Sequence, residues 1–106
     1  MTTFDDRLQA ELARYYHDQE LAFKVRLRRD KLFGLEIARR MGMATPEALA
    51  YAKTVVVEDL QHAGDAVMLK KVVADLEAQG LDVDEVGLQR ELRKLNGEAQ
   101  AQVNEE

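Results

Sequence analysis

The stretch QELAFKVRLRRDKLFGLEIARRM, residues 19–41, decides the fold of this chain. Its apolar residues form two stripes at helical spacing, turned well away from each other. One stripe comprises Phe23, Leu27, Gly34, Ala38 and Met41, and the other comprises Leu21, Val25, Leu32 and Leu35. A helix that is apolar on two sides packs against more than one neighbour, so this segment is predicted to be the central helix of a helical domain.

Three further helices are predicted downstream, separated by glycine-containing connections. The first starts at Thr45, its N-cap, with Pro46 at the position where a missing N–H costs nothing. The second starts at Gly64–Asp65, and the third runs from the capping residue Asp84 to about Val103. Their inward stripes are expected to be Leu49, Ala52, Val56 and Leu60, then Leu69, Val72, Val73 and Leu76, then Leu88, Leu92, Leu95, Ala99 and Val103.

A separate amphipathic segment precedes this bundle. In TTFDDRLQAELARYY, residues 2–16, the side chains of Phe4, Leu8, Leu12 and Tyr15 share one helical face, and most of the remaining surface is polar or charged. A lone helix of about fourteen residues is marginal in water. We therefore expect an all-α single domain, residues 1–106, in which a mobile segment, residues 1–17, precedes a compact four-helix bundle, residues 19–103. The apolar stripe either folds back on the bundle or binds another molecule.

Composition narrows the class of protein. The 106 residues contain no cysteine, serine or obvious signal peptide, and no apolar stretch long enough to span a bilayer, so we expect a soluble, cytoplasmic, monomeric protein with one core. Residues 1–41 hold nine Lys/Arg and seven Asp/Glu, whereas residues 42–106 hold six and thirteen. An acidic second half argues against nucleic acid as a partner, because phosphate contacts need a basic surface.

The sequence has no pattern typical of an enzyme or a cofactor site. It offers no serine or cysteine nucleophile and no phosphate-binding glycine loop. His17 and His62 lack the companion ligands of a metal site. Glu58 and Asp59, like the acidic residues around Asp84, are interpreted as solvated faces and caps. We therefore predict no catalysis, no metal and no cofactor.

The basic stretch KVRLRRDKLFG, residues 24–34, has two interpretations. Its long basic side chains can cover the edges of the two apolar stripes as a solvated rim. Alternatively, Lys24, Arg28, Arg29 and Lys31 form a docking patch for an acidic protein surface or for the phosphates of ATP or ADP. Aromatic residues are not interleaved as in a base-stacking site, which disfavours nucleic acid.

Five collinear segments resemble one known family. TTFDDR at 2–7, HDQELAFK at 17–24, RRDKLFGL at 28–35, YAKTVVVEDL at 51–60 and KKVVADLEAQGLDVD at 70–84 are similar to the zeta-subunit inhibitors of alphaproteobacterial F-type ATP synthases. The resemblance covers nearly the whole chain and implies a four-helix bundle with an N-terminal segment that is mobile in the free protein.

The resemblance also implies a function and a partner. In the family, the N-terminal segment inserts into the catalytic head of the ATP synthase, between catalytic and non-catalytic subunits and close to the central rotor, and it blocks ATP hydrolysis while permitting synthesis. The protein would then be a cytoplasmic, peripheral component of the enzyme at the inner membrane. The expected contact residues are Phe4, Arg7, Leu8, Leu12, Arg14, Tyr15 and Tyr16, with the apolar ones as anchors and the arginines setting register. The alternative is a helical binding or scaffold module, or a weak nucleotide sensor, that does not inhibit the synthase.

Overall fold

The computed structural model describes residues 3–106, and the helices in this range are α1 (Thr3–Arg40), α2 (Thr45–Leu60), α3 (Ala66–Ala78) and α4 (Glu85–Asn104). Residues 3–106 contain no β-strand. Helix α1 packs against both α2 and α4, and α2 also packs against α3. The predicted all-α, four-helix architecture is confirmed, and α1 is its central helix.

Helix α1 is longer than predicted. The sequence pattern predicts that the first periodic segment ends near Tyr16 and that a second begins at Gln19, whereas the structure has one uninterrupted helix from Thr3 to Arg40. The prediction of a break is wrong because residues 17–20 contain neither glycine nor proline, and a Glu20–Lys24 pair at 3.8 Å bridges one turn further along. The molecule is therefore elongated, 65 × 25 × 21 Å.

The core contribution of α1 lies between the two predicted stripes. Phe33 and Ile37, which belong to neither stripe, are fully buried in the centre of the core. Gly34 and Ala38 are buried as predicted. Phe23 is predicted to be inward but is 49% exposed. Phe23 lies on the face of α1 that the sequence predicts, but beyond the part of the helix that α2 covers.

Helix α2 packs in a register one residue away from the predicted one. Leu49 and Leu60 are exposed, and the buried residues of the helix are Ala48, Ala52, Val55 and Asp59. The reason is close packing: a Cβ added to Gly34 of α1 would lie 2.6 Å from the Cα of Ala52. Only small side chains fit at such a crossing, so the alanine face turns inward and the leucines turn outward.

The C-terminal end of α3 and the N-terminal end of α4 have the caps that the sequence predicts. Gly80 has a positive φ of 73°, and the next residue, Leu81, donates its N–H to the carbonyl of Leu76 at 3.1 Å. Asp84 accepts a hydrogen bond from the backbone N–H of Gly87 at 3.0 Å, as an N-cap should. The predicted inward stripe of α4 is buried throughout, at Leu88, Leu92, Leu95, Ala99 and Val103.

Candidate functional site

The N-terminal part of α1, residues 3–17, is the arm of the molecule. Every residue in it is exposed to solvent, and at 1.5 Å per residue the arm is about 22 Å long. The predicted anchors Phe4, Leu8, Leu12 and Tyr15 all lie on it with their side chains exposed. The arm therefore presents a continuous apolar stripe that no other part of residues 3–106 covers.

The stripe has an aromatic end nearest to the bundle. Tyr16 is 67% exposed, and its ring meets the Tyr15 ring edge to face, with 5.6 Å between centroids and 74° between planes. Phe23, two turns beyond Tyr16, extends the same exposed surface. The periodicity of the sequence predicts Phe23 in the core. That prediction is wrong because periodicity does not tell where α2 ends and stops covering α1.

The charged positions predicted on the arm are exposed as well. Arg7 and Arg14 lie among the exposed residues of α1, so both guanidinium groups are accessible to a partner. Asp5 and Asp6 occupy the first turn of α1, where carboxylates interact favourably with the helix dipole. The arm thus combines an apolar stripe with charges of both signs.

The structure separates the four predicted docking cations into two groups. Lys24, Arg28 and Lys31 line one shallow groove between α1 and the end of α4. Arg28 is already engaged there, since it donates to Gln102 at 2.9 Å and pairs with Glu106. Arg29 lies on another side of α1, where its side chain is only 13% exposed. A single patch of all four cations does not form.

Arg29 belongs instead to a cluster where α1 meets the end of α2. This junction cluster consists of Arg26, Arg29 and Asp30 of α1, Asp59 of α2, and Asp65 of the connection to α3. Arg26 donates to the Asp59 carboxylate at 2.7 Å and to the Asp59 carbonyl at 2.7 Å. Arg29 pairs with Asp30 at 2.9 Å and with Asp65 at 2.7 Å. The cluster therefore ties α1 to both α2 and the start of α3.

Two carboxyl groups in the junction cluster, Asp30 and Asp59, are fully buried. Burial raises the pKa of Asp30 to about 8, and a hydrogen bond to Asp59 acts in the same direction, against the Arg29 guanidinium. Burial acts in the same sense on Asp59, but the hydrogen bond from Asp30 and the Arg26 guanidinium outweigh it and lower the pKa of Asp59. Asp30 is thus the neutral member of the pair near neutral pH, and Asp59 is the carboxylate.

Sequence analysis interpreted Asp59 as part of a solvated face, and the structure corrects this. Asp59 is 0% exposed because it follows Ala52 and Val55 on the inward face of α2, at spacings of seven and four residues. Asp30 likewise precedes Phe33 and Gly34 on the inward face of α1. The sequence could have indicated this burial, because Asp30 and Asp59 each lie at helical spacing from the buried residues of their own helix.

Residues 3–106 hold neither a cluster of metal ligands nor a membrane-spanning helix. No group of three or more His, Cys, Asp or Glu side chains in this range is arranged to hold a metal ion. His17 stays on the exposed arm, and His62 lies 3.8 Å from Glu58. None of the helices described is both long and apolar enough to cross a bilayer.

Comparison with known proteins gives one finding. A family model described as ATPase inhibitor subunit zeta matches residues 1–102, which include the arm, the junction cluster and nearly all of α4. No curated protein matches the chain.

Proposed function

Because this chain belongs to the ATPase inhibitor subunit zeta family, we propose that it inhibits ATP hydrolysis by an F-type ATP synthase and that the arm is the inhibitory element. The arm inserts into the catalytic head, between catalytic and non-catalytic subunits and near the central rotor. The bundle is the body that carries the arm. The family is a regulatory one, and the chain itself performs no catalysis in this proposal.

The observation that supports the arm as the inhibitory element is its uncovered apolar stripe. Large apolar side chains left exposed along one face of a helix are typical of helix-in-groove recognition, in which anchors at positions i, i+4 and i+7 enter a hydrophobic groove. Leu8, Leu12 and Tyr15 have this spacing, and Phe4 extends the stripe by one turn towards the N-terminus. Burying each such side chain in a partner contributes roughly 1.5–3 kcal/mol before the cost of association.

The continuity of α1 bears on how the arm reaches its target. Because Thr3 to Arg40 is one helix, the arm points along the axis of the central helix of the bundle. Binding then needs little additional ordering of residues 17–20, and the bundle limits insertion to the length of the arm. The prediction that residues 1–17 are mobile in the free protein still applies to fraying or bending of the arm, because its helix has no tertiary support.

Arg7 and Arg14 have a different part in this proposal. Both lie on the exposed arm, so they can pair with carboxylates at the rim of the target site. Charges at the rim affect mainly the rate of encounter and the register of docking, and apolar anchors dominate affinity. We therefore expect Arg7 and Arg14 substitutions to act more on association than on dissociation.

The direct test is removal of the arm. A variant lacking residues 1–17 should keep the bundle, because residues 3–17 are exposed. It should lose inhibition of ATP hydrolysis by the cognate ATP synthase. ATP synthesis should be unaffected by either form. Full inhibition by the truncated protein would show that the arm is not the inhibitory element.

The proposal also covers location and oligomeric state. The protein acts as a monomer in the cytoplasm and associates peripherally with the membrane-bound synthase. Co-purification with the cognate enzyme, and its loss on removing residues 1–17, would test the association separately from inhibition.

A second candidate, anion docking without synthase inhibition, is favoured by one observation. Lys24, Arg28 and Lys31 converge on one groove, as a weak ATP or ADP site would require. Glu106 lines the same groove and pairs with Arg28, so a phosphate would have to displace it. Titration of ATP into labelled protein, followed by NMR shifts at these three residues, distinguishes this candidate from the first.

A further inference from the structure

The two buried carboxyl groups of the junction cluster leave a pair of oxygens without a donor. Asp30 Oδ1 accepts from Arg29 at 3.0 Å, and Asp59 Oδ2 accepts from Arg26 at 2.7 Å. The remaining oxygens, Asp30 Oδ2 and Asp59 Oδ1, are buried and receive no hydrogen bond from any donor group within residues 3–106. One proton placed between the two carboxyl groups satisfies both atoms at once.

The charges of the cluster lead to the same conclusion. Two guanidinium groups, Arg26 and Arg29, face three carboxyl groups, Asp30, Asp59 and Asp65. With Asp30 neutral, two positive charges match two negative ones. Without that proton, an unmatched negative charge is buried at the contact between α1 and α2, and buried unpaired charge is strongly unfavourable.

The Asp30–Asp59 pair lies at the contact between α1 and α2. Asp30 and Asp59 join α1 to α2 near the end of α2. Between this contact and the arm, α1 lies beside α4, with Asp18, Leu21 and Val25 facing the C-terminal half of that helix. Gly34, one turn further along α1, makes another close contact, with Ala52 of α2. The pair is thus the outermost buried link between these helices.

We propose that the Asp30–Asp59 pair is a proton-dependent latch between α1 and α2: the singly protonated pair holds the two helices together, and loss of the shared proton on the alkaline side loosens their contact. This goes beyond the proposed function and does not rest on it, since the latch is a property of the isolated chain.

The direction of the pH effect follows from linkage. Asp30 binds its proton more tightly in the folded protein than in the unfolded chain, because its pKa is raised to about 8. Its contribution to stability is therefore complete below the pKa of an unfolded aspartate, about 4, and is lost as pH rises to about 8. The pKa of Asp59 is lowered, so its contribution is lost only in acid. Between pH 5.5 and 8, Asp30 is therefore the member of the pair whose protonation changes.

The other charged groups that face the pair come from every element packed around it. Arg26 and Arg29 lie on α1, and Asp65 lies in the connection before α3. Arg93 of α4 lines the groove that also holds Arg29 and Asp65. His62 belongs to the same surroundings: its carbonyl oxygen lies 3.5 Å from the Arg26 guanidinium, and its ring lies 3.8 Å from the Glu58 carboxylate.

The experiment compares the unfolding of the intact chain with that of Asp30→Asn between pH 5.5 and 9. Asparagine keeps the shape of a protonated aspartate and donates an N–H to Asp59, so the variant should fold with the latch permanently closed. The unfolding equilibrium constant of the wild-type protein should rise by up to about tenfold per pH unit until about pH 8. In Asp30→Asn this dependence should be largely lost.

Two matched controls exclude other titrating groups. His62→Gln should retain the wild-type dependence, and so should Asp75→Asn, which removes a carboxylate that binds Tyr51 and Lys71 outside the cluster. An unchanged pH dependence in Asp30→Asn, or its loss in His62→Gln, would overturn the proposal.

Two further measurements keep the proposal testable if Asp30→Asn does not fold. The carboxyl carbon of Asp30 in the wild-type protein should titrate near pH 8 by NMR, and titration below pH 5 would refute the latch. The chain has no cysteine, so spin labels can be placed at Ala10→Cys on the arm and Lys53→Cys, an exposed position of α2. The distance distribution should broaden from pH 6 to pH 9, and equal widths at both pH values would contradict a loosened contact between α1 and α2.

Discussion

Gly34 of α1 lies directly against Ala52 of α2, so that a methyl group on Gly34 would lie 2.6 Å from the Ala52 Cα. This is a contact with backbone, which no rotamer change can relieve. The crossing explains why α2 turns its alanine face inward. It also explains why a glycine, a poor helix former, is retained in the middle of the longest helix.

Gly34→Ala should destabilise the protein although alanine is the better helix former. The expected gain in helix propensity is about 1 kcal/mol, but overpacking against backbone at the crossing should outweigh it and give a net loss of about 2 kcal/mol. Gly97→Ala is the matched control on α4, where an added Cβ meets nothing within 4 Å. It should stabilise by roughly 0.5–1 kcal/mol. Urea unfolding of both variants checks the prediction, and a stabilised Gly34→Ala would contradict the close crossing.

The double substitution Phe4→Ala and Leu8→Ala should weaken inhibition of ATP hydrolysis by at least tenfold and leave the melting temperature unchanged. Both side chains are exposed on the arm, so the bundle loses no contact when they are truncated. Val86→Ala with Leu49→Ala is the control pair, since it removes two exposed apolar side chains from the bundle and should preserve inhibition. If the Phe4 and Leu8 double variant melts several degrees lower, the stripe folds back on the bundle in solution.

Arg26→Met should destabilise the bundle by about 2 kcal/mol, because it leaves the buried Asp59 carboxylate without its main partner. The effect is smaller than for a fully buried pair, since the Arg26 side chain is 36% exposed. Arg39→Met removes an exposed cation that pairs with Glu36 at 2.7 Å and should leave thermal unfolding nearly unchanged. Equal effects of the two substitutions would argue against a stabilising junction cluster.

Asp84→Ala should cost about 1 kcal/mol, because its carboxylate accepts the N–H of Gly87 and caps α4. Asp82→Ala, two residues earlier and also exposed, removes the same charge without removing a cap. Thermal unfolding should therefore separate the two variants by several degrees, as expected for about 1 kcal/mol in a domain of this size. Indistinguishable melting temperatures would show that the Asp84 cap does not contribute.

Local sequence signals were sufficient for much of this fold. The four bundle helices, the α4 stripe and the caps at Gly80 and Asp84 depend on contacts within a few residues, so periodicity and cap chemistry predict them. The predictions failed where a distant helix decides the outcome. Phe23 and Leu49 both have the right periodicity for a core, but the end of α2 leaves the first exposed and the Gly34 crossing turns the second outward.

The candidate site divides in the same way. Phe4, Leu8, Leu12 and Tyr15 share a helical face whatever the rest of the chain does, because a helix has one periodicity, and the sequence by itself therefore determined the apolar stripe. Tertiary structure decided two other features of the site: the stripe is left uncovered, and Arg29 faces Asp30 and Asp65. Burial of Asp30 beside Asp59 requires two segments 29 residues apart in sequence to meet, and the packing of α1 against α2 brings them together.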